Sequence, residues 1–513
     1  MALWRSTFIV SAMTMLSRVL GLVRDMVLLN VFGAGKDFDT FVVAFRIPNF
    51  FRRLFAEGAF SQAFIPVLTE YKTTKLHAEV QILISRVFGC LLIVMSILTL
   101  VSMIIAPVIL YAYAPGFHND PAKFDLAVDM FRLTIPYLMF MSLTAFASSI
   151  LNSYGSFASP AFSPVLLNIA MIAGAWWLSP YLAQPIMALG WAVVIAGILQ
   201  LAIQVPELWK KKLLIPPKVD FKHEGVDRIL KLMLPALFGV SVTQINLLLN
   251  TIWASFMQDG SVSWLYSAER MTELPLGLIG VAIGTVILPS LSMSKAEQDQ
   301  AKFRKMLDWA ARVIVLVGVP ASIALFMLST PIIQALFQRG AFDVRDTQMT
   351  AMALQCMSGG VLAFMLIKVF APGFYAMQDT KTPVRVGLMA VAANAILNII
   401  FIGFFRFIDW QAEHIALAIA SSGSALVNAG MLYFYLHKRD IFRFGAHWKK
   451  LFVQFSIANI AMVAALYYAM TWYNGEVSQW IRILEVLGLC TVGVVTYGIA
   501  LLTTGFRPRH LKH

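Results

Sequence analysis

Apolar runs of about 20 residues, the length that carries a helix across a bilayer, recur from one end of the chain to the other with only short polar breaks. No stretch is left over for a large soluble domain, so the 513 residues read as an all-α, polytopic membrane protein. Composition agrees: 59% hydrophobic and 13% charged residues, with a mean hydropathy of +0.75, lie far from the profile of soluble globular chains. Segmentation predicts fourteen spans, at 7–32, 39–68, 84–112, 124–152, 160–179, 184–207, 229–257, 262–290, 310–336, 348–376, 383–405, 413–436, 449–473 and 483–505. A secretory signal at the N-terminus is not expected, because Arg18 and Arg24 interrupt the first apolar run and no small-residue cleavage site follows.

The basic residues set the topology. Of the 40 Lys and Arg, 26 fall before the first span or on that same side thereafter, 6 fall on the opposite side and 8 lie within or near spans. The positive-inside bias therefore places both termini in the cytoplasm. It also accounts for the net charge of +13 through topology and anionic lipid, without nucleic acid as a partner. Cys90, Cys356 and Cys490 all lie in apolar spans and have neither metal-ligand nor disulfide spacing.

The chain repeats itself at an offset near 224. Ala44-Phe45-Arg46-Ile47-Pro48 resembles Ala268-Glu269-Arg270-Met271, "FIPVLTEYK" answers "VILPSLSMSK", and "YAPGFHND" answers "FQRGAFDVRD" with Gly116 and Gly340 in register. The expected organisation is two six-helix lobes in parallel pseudo-repeat, 1–208 and 229–440, joined by a cytoplasmic linker at 209–228, with two extra C-terminal helices in 441–513. Parallel-repeat transporters bind substrate between such lobes. Pro48, Gly58 and Pro66 in the second span, and Pro275, Gly277, Gly280, Gly284 and Pro289 in the eighth, predict broken helices at repeat-related positions.

Arg18, Arg24, Arg46, Arg52, Arg53 and Arg270 lie in or beside these apolar segments. Lipid cannot solvate a guanidinium, so each must face a wet cavity, pair with an acid or bind an anion. At about 100° per residue Arg18 and Asp25 share a helix face, whereas Arg24 lies about 120° from Arg18. Arg53 has Glu57 four residues on, and Arg270 has Glu269 beside it and Glu273 one turn on, so these two are the members with paired acids. Arg52 has no obvious local acid.

Five stretches, "SRVLGLVRD" (17–25), "FGAGKDFDTFVVAFRIPNFFRRLFAEGAFSQAFIPVLTEY" (32–71), "APGF" (114–117), "SVSWLYSAERMTELPLGLIGVAIGTVILPSLS" (261–292) and "APGFYAMQDTKTPV" (371–384), closely resemble the MurJ (MviN) family of bacterial lipid II flippases. The resemblance implies a fourteen-helix member of the multidrug/oligosaccharidyl-lipid/polysaccharide exporter superfamily, resident in the bacterial inner membrane. Its implied cargo is lipid II, the undecaprenyl-pyrophosphate-linked peptidoglycan precursor, moved from the cytoplasmic to the periplasmic leaflet. It further implies that Arg18, Arg24, Arg52 and Arg270 line a substrate cavity, and that Ser17, Asp39, Arg53, Glu57 and Ser263 belong to the cavity or its gates. Asp25, Glu269 and Glu273 are supporting acids, and Glu269 stands where the family commonly has aspartate. The last two helices would extend a groove for the polyprenyl tail.

A pyrophosphate suits several guanidiniums around a wet cavity, because charge-assisted hydrogen bonds replace its hydration. Release then requires acids such as Glu57, Glu273 and Asp39 to re-pair the arginines. No GxxxxGK[ST] motif occurs, so coupling to the membrane potential is expected rather than ATP hydrolysis, with no cofactor and no metal site. Asn246, Asn250, Asn394 and Asn398 are intramembrane polar residues, but their spans carry no clear aspartate to complete a sodium site. Expected partners are lipid II, membrane lipids and peptidoglycan synthases, with the chain a monomer. An O-antigen type flippase is the alternative. A drug exporter would need acids to attract cations, and an intramembrane hydrolase would need clustered ligands that the scattered His118, His223 and His414 do not supply.

Overall fold

The computed structural model describes residues 2–56, 59–277 and 281–507; the side chains of 2–11, 53–56, 59, 234–244, 281–282, 284–286, 289, 296 and 446 lie outside that description. Helices make up the regular structure, and no strand occurs among the described residues. Ten helical stretches among them are long and apolar enough to cross a membrane, and they coincide with ten of the fourteen expected spans. The other four expected spans, 7–32, 39–68, 229–257 and 262–290, each include residues or side chains outside that description. The chain forms two compact units, Met1–Ser263 and Trp264–His513.

Unit 1 begins with α1 (Ala2–Phe32), α2 (Lys36–Ala56) and α3 (Ala59–Thr74). It continues through α4 (His77–Ile104), α5 (Ala106–Tyr113), α6 (Pro121–Thr134) and α7 (Pro136–Ser153). It then runs through α8 (Ala158–Ala173), α9 (Met187–Ala202), α10 (Val205–Lys210) and α11 (Glu224–Ser255). Several single spans of the sequence are two helices. Pro107 and Pro136 sit in the first turns of α5 and α7, where a missing N–H costs nothing but the preceding helix cannot continue. Phe60, Phe64, Phe88 and Phe146 pack together in a core drawn from α3, α4 and α7, with Leu208 of α10, Leu213 just beyond it and Ile229 of α11.

The segment between α10 and α11 is strapped along α4. Ser85 Oγ donates to the Pro216 carbonyl at 2.7 Å, Lys218 N donates to the Ser85 carbonyl at 3.1 Å, and Gln81 Nε2 donates to the Lys212 carbonyl at 2.8 Å. Gly89 makes this possible, because a Cβ there would overlap the backbone of Lys218.

Unit 2 takes in α12 (Ser261–Pro275) beyond its first turn, α13 (Val281–Ala296), α14 (Gln300–Met327) and α15 (Ser329–Phe337). α16 (Val344–Ala376), α17 (Lys381–Phe407), α18 (Ile415–Lys438), α19 (Ala446–Met470) and α20 (Gln479–Thr503) complete it. Trp448, Leu451, Phe455, Ala458, Met462 and Leu466 form one apolar stripe of α19 that is buried in the same core as Ile314 of α14 and Phe370 of α16. The last two helices are therefore part of this unit's core. At one end Trp448 Nε1 donates to Asp308 at 2.7 Å; at the other, Gln334 Nε2 donates to the Gly475 carbonyl at 3.1 Å and Arg339 donates to Gln479 at 2.9 Å. Between the ends, the Tyr497 hydroxyl donates to the Leu316 carbonyl at 2.8 Å. In the turn before α17, burial works to raise the Asp379 carboxyl, but hydrogen bonds from Thr382 and the Arg439 guanidinium outweigh it and hold it at about 2.

Gly89→Val should cost about 1–3 kcal/mol of stability by overpacking. It should also lift the strap from α4, which limited trypsin digestion will read as faster cleavage after Lys218 and Lys222.

Candidate functional site

The inner half of α1 buries a guanidinium and a carboxylate from neighbouring residues. Arg24 and Asp25 are 5% and 4% exposed, and Arg24 reaches round the helix to place Nε at 2.9 Å and Nη2 at 2.6 Å from the same Asp25 oxygen. Its Nη1 donates to Asn168 Oδ1 of α8 at 3.0 Å, while Asn168 Nδ2 donates to the Ser17 carbonyl at 3.0 Å. Asp25, which shares a helix face with Arg18, thus closes on Arg24 instead. Arg18 is exposed and makes no ion pair or hydrogen bond among the described residues. Arg52 Nε donates to Asn49 Oδ1, one turn back, at 2.8 Å. Tyr137 of α7, a buried phenol, donates to Gln200 Oε1 at 3.2 Å. Glu57, Gly58 and Gly280 lie outside the described residues, as does the side chain of Arg53.

A second cluster holds the start of α2. Asp39 is 1% exposed and accepts from Lys123 Nζ at 3.2 Å, Gly260 N at 2.8 Å, Ser263 N at 2.9 Å and Ser263 Oγ at 2.5 Å. Lys123, 4% exposed, also reaches Asp259 at 2.6 Å and lies 4.3 Å from the Phe117 ring centroid. Gly260 has φ +94, a backbone conformation open to glycine, and its N–H meets the carboxylate. Asp39 and Ser263, each expected at the cavity or its gates, are in contact. In this structure, however, Asp39 pairs with a lysine and not with an arginine. Lys123 and Asp259 are the residues that sequence reasoning missed, since a loop lysine reads as one more topological charge. Next to this cluster, Arg46 donates to Thr251 Oγ1 at 2.6 Å, and the Tyr113 hydroxyl lies 3.3 Å from the same oxygen.

Unit 2 carries Arg270. Its Nη1 meets Glu273 at 3.1 Å, and Nε and Nη2 lie 3.3 and 3.2 Å from the Tyr266 hydroxyl, with the guanidinium 5.1 Å from that ring's centroid. Glu273 is therefore the acid that pairs with it, as the one-turn spacing suggests; Glu269 is half-buried on the same helix. Arg270 is only 30% exposed and Glu273 is 47% exposed, so water reaches the pair and it is easily exchanged. At the start of α12, the indole of Trp264 donates to Asp346 at 2.9 Å and lies 5.0 Å from the His414 ring. Asn394 and Asn398 are buried and bonded to each other at 2.9 Å, and no group of three or more His, Cys, Asp and Glu side chains suited to a metal occurs among the described residues.

Comparison with known proteins agrees along nearly the whole chain. The family model "Lipid II flippase MurJ" matches residues 28–489. A "Probable lipid II flippase MurJ" from Vibrio cholerae is 43% identical over 99% of this chain and 98% of its own length. One from Haemophilus influenzae is 44% identical over 97% and 99%. Among solved structures, a "Lipid II flippase MurJ, inward closed conformation" superposes with a TM-score of 0.80 at 27% identity, covering 96% of this chain and 98% of the other. A multidrug MATE transporter of the MOP superfamily in an inward-facing conformation gives 0.67 at 13% identity, covering 82% and 94%, and shares the fold alone.

Lys123→Met leaves the Asp39 carboxylate buried without its cation, a loss of about 3–5 kcal/mol. Thermal unfolding in detergent should show that drop, and Asp39→Asn added to Lys123→Met should recover part of it.

Proposed function

We infer the function from the family to which the chain belongs, the MurJ lipid II flippases: the protein carries lipid II across the bacterial inner membrane by alternating access. Arg18, Arg24, Arg52 and Arg270 bind the pyrophosphate. The observation that carries this reading is the state of Arg24. A buried guanidinium is bonded to an oxygen of the adjacent carboxylate, a partner that a pyrophosphate can replace with stronger, multiply charged contacts. The Arg270 and Glu273 pair supports the same exchange in unit 2, with the acid taking the arginine back after release. Ser17, Asp25 and Glu273 support the binding arginines, while Asp39 and Ser263 gate access to them. The match of the family model along 28–489 favours lipid II over other lipid-linked oligosaccharides.

Fourteen crossings are reached by adding α1, α2 with α3, α11, and α12 with α13 to the ten apolar stretches. The two six-span lobes at 1–208 and 229–440 follow from the sequence repeat, and the basic loops put both termini in the cytoplasm. Transport is driven by the membrane potential acting on charges that move with the arginines, at about 2.3 kcal/mol per charge per 100 mV. The chain acts as a monomer and hands its product to peptidoglycan synthases.

In a strain depleted of its own flippase, the chain should restore growth and periplasmic lipid II; an adequately expressed, inserted chain that restores neither refutes the assignment. Alanine at Arg18, Arg24, Arg52 or Arg270 should abolish rescue at unchanged membrane insertion. In proteoliposomes, collapsing an imposed potential with valinomycin should slow flipping several-fold, as expected if at least one charge crosses the field.

A further inference from the structure

Arg24 is held by partners of different kinds, among them Asp25 and Asn168. Asp25 neutralises it; Asn168 aims it. The amide sits on α8, 144 residues away, and is 5% exposed. Both ends of that amide are used: Oδ1 accepts from Arg24 Nη1 at 3.0 Å, and Nδ2 donates to the Ser17 carbonyl of α1 at 3.0 Å. The Ser17 bond orients the amide, so its oxygen and not its nitrogen faces the guanidinium.

We propose that Asn168 is a positioning residue for the pyrophosphate-binding Arg24, fixing one edge of the guanidinium while leaving its charge available to the substrate. The proposal rests on the reading of Arg24 as a substrate contact. The physical ground is the difference between an amide and a carboxylate as an acceptor. Arg24 has five N–H donors in a rigid plane, and a neutral acceptor at Nη1 fixes that plane without neutralising it. When an anionic headgroup displaces Asp25, Asn168 stays in place and keeps the fork oriented, so the order is not lost at the moment of exchange. A second carboxylate at position 168 would instead compete with the headgroup.

The test is a double-mutant cycle on purified full-length protein in nanodiscs, with lipid II binding and thermal unfolding both measured. Asn168→Leu, similar in volume but without the acceptor, should weaken binding roughly tenfold, the scale of one hydrogen bond to a charged group. In an Arg24→Ala background the same change should have almost no further effect on binding. Asn168→Asp, which keeps the acceptor and shape but exchanges the donor to the Ser17 carbonyl for a second negative charge beside Arg24, should still unfold cooperatively yet also weaken binding, and it carries the test if the leucine variant does not fold. Wild-type affinity in both Asn168 variants, with Arg24→Ala weakened, overturns the positioning role and leaves the site intact. Equal losses from Asn168→Leu in both backgrounds overturn it too, in favour of packing. Wild-type affinity in Arg24→Ala overturns the reading of the site and this proposal with it.

Discussion

A medium that cannot solvate charge obliges the protein to supply every counter-ion and every hydrogen bond from its own side chains. That obligation organises unit 1. Arg24 is matched by Asp25 and Asn168, Asp39 by Lys123 and two residues of the turn into α12, and Arg46 reaches Thr251. Apart from the adjacent Asp25, each partner comes from an element far away in sequence, so the polar groups do more than escape a penalty. They determine which helix faces meet, and the apolar cores fill in around them. Charges that must be matched are also charges whose partners can be exchanged, and a transporter of an anion needs that property.

Much of the architecture was legible in the apolar periodicity, because a membrane helix leaves a long and unambiguous signal. Ten expected spans coincide with helical stretches that meet the physical requirements for crossing. The breaks within spans were less visible. Pro48 and Pro66 sit inside α2 and α3, whereas Pro107 and Pro136 start new helices. The residue type announces a disturbance, but tertiary packing decides between a bend and a break. The burial of α19 and α20 in the core of unit 2 had no sequence signal beyond the stripe itself, since an unpaired pair of helices says nothing about what its apolar face will cover.

Within the site, spacing worked where partners lie on one turn and failed elsewhere. Arg270 and Glu273 are three apart and meet. Arg24 and Asp25 are adjacent, point in different directions on a helical wheel, and meet because the arginine is long enough to curl back. Asn168 and Lys123 are 144 and 84 residues from the side chains they serve, beyond any local pattern. The offset of 224 offers partial access to such contacts: Asp39 and Lys123 join the first turns of α2 and α6, and Trp264 and Asp346 join those of α12 and α16 at nearly corresponding positions. An ion pair in one repeat is answered by a neutral donor and a carboxylate in the other.

The fastening of α19 and α20 at both ends has a mechanical consequence. With Trp448 bonded to Asp308 at one end and Gly475 and Gln479 bonded to α15 and the residues just after it at the other, the hairpin cannot slide along its neighbours without breaking polar contacts at two depths. A change in bilayer thickness must then be met by tilting unit 2 as a body, or by deforming the surrounding lipid, because slip between its helices is closed off. The thickness of the host membrane thereby becomes a variable that acts on the whole unit, and these two helices transmit it.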